Sequence, residues 1–191
     1  MFKEPILFSR QKALREQIYA AIGLLLEDNA YVSANLLAWA AIDVLRDIGK
    51  AEGRPTLAES INDLIKPEKV REWHLHQKEH YNFSKHANTD PYKVMLFEPR
   101  TVYFAVFRAC VDYEQIFDKQ SFPMMLFKSW HYATMPGLFI EGSRFVVTAQ
   151  KFFGERPATE DLLEHYEKFK ANECLIRSDF KSFFGNGVEL D

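Results

Sequence analysis

The sequence predicts an all-α fold, a single-domain bundle of about seven to eight helices, on three observations. Apolar residues recur at steps of three and four through most of the chain, the spacing that lines one face of a helix. The eight prolines and eight glycines fall mainly between the periodic segments, where they punctuate and do not interrupt. The one stretch of strand-like composition, Arg-Phe-Val-Val-Thr at 144–148, has no partner segment with period-two alternation. With 191 residues, 47% hydrophobic and 27% charged, the chain has the length and composition of one globular domain spanning 1–191. A core bundle is expected at about 9–120, further helices at about 121–175 and an unassigned tail at 176–191. No repeat with a period of roughly 20 to 50 residues points to a solenoid.

The elements follow in order. Leu14, Ile18, Ile22 and Leu25 define a first helix over 9–26, with Ser9 as its N-cap and Gly23 as an internal glycine suited to a close helix contact. Ala34, Leu37, Ala38, Ala41, Leu45 and Ile48 share one face of a second helix at about 30–50, with Trp39 turned partly elsewhere. Gly49, Gly53 and Pro55 mark its end, because glycine accepts the left-handed cap geometry and proline stops continuation. Thr56 caps a short third helix carrying Leu57, Ile61 and Leu64. Pro67 opens a fourth that runs to about His86, and Asn88 to Pro91 forms a turn. A fifth helix after Pro99 presents Val102, Val106, Ala109, Tyr113 and Ile116 or Phe117. Helical segments at 123–132, 143–153 and 159–172 complete the bundle, the last with Thr159 as cap and Leu162, Leu163, Tyr166 and Phe169 on its apolar face.

Composition excludes several classes. A balance of 24 Lys plus Arg against 27 Asp plus Glu leaves a net charge of −3 and a pI near 6.1, without the overall positive field of a simple nucleic-acid coat. Two cysteines, Cys110 and Cys174, make neither a disulfide framework nor a four-thiolate zinc site, so a reducing cytoplasmic location is expected. Glu4 and Pro5 stand where a signal peptide needs a cationic and then an apolar stretch. The longest apolar runs, 18–26 and 36–42, fall far short of the roughly 20 residues that cross a bilayer, so no membrane role is expected. Residues 155–191 hold nine acids and five bases, a local charge of −4 that reads as a solvated acidic C-terminal helix.

Two residue types are concentrated. Fourteen of the 17 Phe lie between Phe97 and Phe184, and helical spacing assigns Phe104, Phe107, Phe117, Phe145, Phe152 and Phe169 to core packing or a helix-mediated dimer in preference to base stacking. Four of the six His fall within 74–86: His74, His76, His80 and His86. Here polar groups able to do chemistry gather. Glu72, His76 and His80, spaced i, i+4, i+8, put a carboxylate and two imidazoles along one side of a helix, an arrangement suited to a metal ion, with His131 or His165 as further donors. The His-Glu-x-x-His and Glu-x-x-His orders of known metal helices are absent. A structural role is the alternative: a histidine near a helix C-terminus is favoured by the dipole, and Asn82 and Asp90 can fix a turn.

The same segment reads Asn82-Phe83-Ser84-Lys85-His86. An alanine-rich helical hairpin near the N-terminus followed by a helix carrying Asn-x-x-x-His resembles the HEPN superfamily of small all-helical proteins. In that family an Arg-Asn-x-x-x-His type motif faces its twin across a dimer interface, and many members cut RNA without metal. This chain has Tyr81 where the family has Arg, and Lys85 is the nearest cation. The resemblance implies His86 as general acid or base toward a ribose 2′-OH or the leaving 5′-oxygen, Lys85 as the charge facing the phosphate and Asn82 as the group orienting His86. It implies no cofactor, a homodimer, and either a metal-independent ribonuclease or a catalytically reduced relative that binds RNA or protein. A non-enzymatic, self-associating interaction protein, joined through the second or fourth helix, is the reading from another class, and a helical metal-binding protein is the third.

Overall fold

Ser9 opens the first helix, α1 (Arg10–Leu26), where its Oγ accepts a hydrogen bond from Lys12 N at 3.1 Å. Leu14, Ile18, Ile22 and Leu25 are buried along one face, together with Ala21 and Leu26. The computed structural model describes residues 7–62, 71, 74–75, 77–86, 92–139 and 143–171. Among them eight α-helices and one 3₁₀ turn account for the regular structure, and there is no β-strand, so the fold is an all-α bundle. None of these helices is long and apolar enough to cross a membrane.

The second helix, α2 (Tyr31–Glu52), is the centre of the bundle and packs against α1 and against α5 (Pro99–Phe117). Ala34, Ala38 and Ala41 are fully buried, and their small side chains let the neighbouring helices close in. The alanine face is therefore spent inside the chain, so it offers no surface for self-association. Trp39, expected to turn elsewhere, is also buried and stacks on Tyr81 at 6.1 Å between ring centroids. Gly53 ends α2 in the left-handed region at φ +68°.

The close helix contact expected at Gly23 lies instead at Gly49. A Cβ on Gly23 would meet only Glu27 Oε1 and Tyr166 Oη, at 3.5 and 3.7 Å, which is ordinary packing. A Cβ on Gly49 would sit 2.6 Å from the Arg54 carbonyl oxygen and 2.9 Å from Ile116 Cδ1. Backbone cannot yield as a side-chain tip can, so Gly49→Ala is expected to cost about 1 to 3 kcal/mol, whereas Gly23→Ala should stabilise by up to about 1 kcal/mol. Urea titration of the two variants checks the pair. Equal shifts in either direction would show that α2 and α5 are not held this tightly.

The short α3 (Leu57–Asn62) begins at Thr56, whose N–H and hydroxyl both donate to Glu59 Oε2, at 2.8 and 3.2 Å. Its first free amide, Leu57 N–H, donates to Asp112 Oδ1 of α5 at 2.7 Å, so a carboxylate from another helix completes the cap. The long fourth helix expected from Pro67 to His86 is interrupted at Lys78, a turn residue that precedes α4 (Glu79–Lys85). Residues 63–70 and the turn expected at Asn88 to Pro91 lie outside the described residues. The apolar face expected of α5 is as placed, with Val102, Val106, Ala109, Tyr113 and Ile116 all buried.

Helix α6 (Phe122–Thr134) runs through the C-terminal half of the core and carries α7 (Arg144–Phe153) and α8 (Thr159–Ala171) on its surface. The strand-like residues 144–148 form the first half of α7, since no neighbouring strand is there to pair with them. Thr159 lies inside the first turn of α8, and the carboxylate of Asp161 reaches back to Ala158 N at 2.6 Å. Core packing is the role of Phe107, Phe122 and Phe127, and Phe104, Phe117 and Phe152 are packed against the core. Phe145 departs from this expectation: it is 63% exposed and stacks on Tyr132 at the surface. The side chain of Phe169 and the tail from 172 lie outside the described residues.

Candidate functional site

Asn82, Lys85 and His86 sit at the C-terminal end of α4. His86 occupies the cap position, its backbone N–H bonded to Asn82 O at 3.0 Å, and its side chain is exposed. Lys85 donates from Nζ to Tyr81 Oη at 3.2 Å and rests over the same ring. The ammonium is thus held on a tyrosine one turn earlier in the same helix. Ser84 Oγ donates to His80 O at 2.9 Å, which is a helix-internal bond and not a nucleophile–base pair.

Of the metal alternative, Glu72 and His76 lie outside the described residues. His80 is engaged by the start of α5. Thr101 Oγ1 donates to Glu98 O at 2.7 Å, so it accepts from His80 Nδ1–H at 2.8 Å. That tautomer leaves Nε2 to accept from Glu98 N at 3.4 Å. The ring therefore pins the N-terminus of α5, with Phe97 against its face at 4.4 Å. His131 is fully buried among aromatic rings and His165 packs on Phe152 and Phe153. No group of three or more metal-ligating side chains occurs among the described residues.

A different constellation comes together between α2, α3, α5 and the segment just before α4. Trp39, Arg46, Lys50, Ala58, Glu59, His74, Lys78 and Arg108 line a cleft of about 380 Å³. Four of the eight are permanent cations and one is a carboxylate. Arg108 projects from the buried side of α5 and is only 4% exposed. Its Nε–H donates to Asp112 Oδ2 at 3.4 Å, its guanidinium lies over the Trp39 ring at 5.2 Å, and its buried Nη1 has no hydrogen-bond partner among the described residues. Lys78 reaches across the same indole at 5.1 Å and bonds Asp43 Oδ1 at 2.5 Å. Asp43 also accepts from Arg46 Nη1 at 3.0 Å, so one carboxylate behind the wall fixes two of the cations.

The electrostatics agree with this geometry. Burial lowers the Arg108 pKa, and Asp112 opposes that shift. Burial likewise raises the Asp112 pKa against the pull of Arg108 and the Leu57 N–H. His74 is pushed below its ordinary value by partial burial and then by the charges of Arg108, Lys78 and Arg46. Three cations therefore converge on one imidazole. A cleft with a buried, incompletely bonded guanidinium, the ammonium groups of Lys50 and Lys78 and a histidine of lowered pKa is arranged to receive an anion with several oxygen acceptors.

His74 belonged to the segment in which polar chemistry was expected, but the other cleft residues carry a fainter signal. Arg108 and Asp112 are an i, i+4 pair of opposite charge inside the apolar run of α5, on either side of Ala109-Cys110-Val111. Asp43, Arg46 and Lys50 follow one another on α2 at steps of three and four. These patterns also describe ordinary surface ion pairs. No family model, curated protein or solved structure matches the chain. The class defined by the fold and the cleft is a helical bundle with a cationic site on its side.

Proposed function

We propose that the protein is an RNA-binding helical bundle, a HEPN-like relative with reduced or absent catalysis, that holds RNA phosphate in the Trp39–Arg108 cleft. The observation that carries the reading is Arg108: a buried guanidinium in a cleft floor, with one nitrogen lacking a partner. Leaving such a donor unpaired costs about 1 to 3 kcal/mol, which a bound phosphate oxygen would recover once the guanidinium turns toward the cleft. Asn82, Lys85 and His86 do not line this cleft, and Lys85 is committed to Tyr81, so binding is separated from the acid–base group.

Single-stranded RNA should bind in EDTA and be recovered uncut. The slope of log affinity against log salt should fall by about 0.7 in Lys50→Gln, the value for one phosphate contact on a single strand. RNA affinity insensitive to both salt and Lys50 would refute the reading. Cleavage that persists in EDTA and vanishes in His86→Ala would return the protein to the ribonuclease reading, with His86 as acid or base.

A second reading, self-association, is favoured by the extended residues before α5. Tyr92, Val94 and Leu96 there are each more than 90% exposed, an apolar ridge that a second copy of this chain would cover. Sedimentation should then show a dimer that Val94→Lys with Leu96→Lys converts to monomer. A wild-type monomer at all concentrations would remove this reading.

A further inference from the structure

We propose that the cleft is a phosphomonoester site, which takes the phosphorylated end of an RNA strand and not its internal phosphodiester backbone. The inference rests on the RNA-binding reading and narrows its ligand.

Shape is the first argument. Proteins that follow a single strand spread cations along a groove and stack successive bases on exposed aromatic rings. Here the chain carries a net charge of −3, and Arg46, Lys50, Lys78 and Arg108 gather at one cleft of about 380 Å³, the scale of a small-molecule pocket. Among the described residues its aromatic wall is Trp39, which is buried and already has Arg108 and Lys78 over it, so no base can stack on that ring. What remains to be recognised is the anionic group.

Charge is the second. Among the described residues, Arg46, Lys50, Lys78 and Arg108 face the carboxylates Asp43, Glu59 and Asp112, a surplus of one positive charge. Asp47 touches Arg46 from the exposed side at 3.4 Å, where water screens it. Glu59 is already engaged with Thr56. A bound anion would oppose the cationic field that, after burial, lowers the His74 pKa, and a proton taken up by His74 brings the surplus to two. That matches a phosphomonoester, which carries about −1.5 to −2 near neutral pH, better than a diester with one charge. A terminal phosphate also presents three free oxygens: enough for the Arg108 fork and two ammonium groups together.

The test uses the full chain in EDTA with fluorescent ten-residue ribo-oligonucleotides bearing a 5′-phosphate, a 3′-phosphate or hydroxyls at both ends, with inorganic phosphate as competitor. We expect one phosphorylated end to bind about tenfold tighter than the hydroxyl-ended strand, phosphate to compete, and the His74 imidazole signal in NMR to move toward its protonated position on binding. The preferred arm assigns the end, 5′ or 3′. Lys50→Gln and Lys78→Gln should each erase most of the preference, and Arg108→Lys, which keeps the buried charge but not the fork, should reduce it while thermal unfolding stays cooperative. Equal binding of all three strands overturns this inference and leaves the RNA reading standing. Phosphate and mononucleotides that shift His74 while no strand binds support the phosphomonoester site and overturn the RNA reading. Silence from every probe overturns both.

Discussion

Acidification from pH 7 to pH 4 is expected to remove about 3 kcal/mol of folding stability through His131 alone. Its imidazole is fully buried on α6, stacked on Phe107 at 4.4 Å with Phe104 and Trp130 around it, and neither ring nitrogen has a hydrogen-bond partner among the described residues. Burial pushes its pKa from 6.5 down to about 4. The unfolded chain therefore takes up a proton near pH 6.5 that the folded chain refuses until about pH 4. Stability is complete above 6.5 and is lost progressively as the pH falls through that window. His131→Phe keeps a ring in the slot, removes two unsatisfied polar atoms and cannot titrate. At pH 7 it should differ from wild type by less than about 1.5 kcal/mol. At pH 4.5 it should be clearly the more stable. His74 and His165 are also lowered by burial and lose stability in the same direction, but they remain in both proteins, so the difference between the two urea titrations isolates His131. Parallel acid limbs would show that His131 is not held neutral.

The helices that the sequence makes legible are those whose partners are helices of the same chain. α1 and α5 repeat buried apolar residues at three and four, and periodicity records that burial directly, as at Leu14, Ile18 and Ile22 or Val102, Val106 and Ala109. Lys78 illustrates what periodicity misses. It is a good helix former, and its reach to Asp43 and the Trp39 ring, both set by tertiary packing, accompanies the break there. Residues 144–148 show the converse: β-branched composition favours a strand, yet α6 offers a surface for a helix and no strand edge. The candidate site was legible by half. His74 lies in the polar segment that drew notice, but Trp39, Arg46 and Arg108 come from helices read as core or ordinary surface, brought to His74 by the packing of α2 on α5. Charges inside an apolar helical run, such as Arg108 and Asp112, are the sequence mark of such a place, and their partners are invisible until the fold supplies them.

Asp112→Ala should produce the largest loss of stability among single changes near the cleft, about 3 to 5 kcal/mol. Asp112 is fully buried and serves two elements, accepting from Leu57 N–H at the start of α3 and from Arg108 Nε–H one turn back on α5. Its removal leaves a guanidinium buried without its counter-charge and a helix amide without an acceptor. Asp112→Asn keeps a carbonyl oxygen for Leu57 N–H and loses only the charge, so it should fall between wild type and Asp112→Ala. If the uncompensated charge dominates, Arg108→Met combined with Asp112→Leu should recover most of the loss, because apolar side chains of similar size replace both ions. That double variant should fold and yet bind no phosphate, which separates the structural service of the pair from its service to the cleft. Urea midpoints with unchanged m values measure the three variants. Should the double variant be as unstable as Asp112→Ala, the cap on Leu57, and not the balance of charge, would be what Asp112 supplies to the bundle.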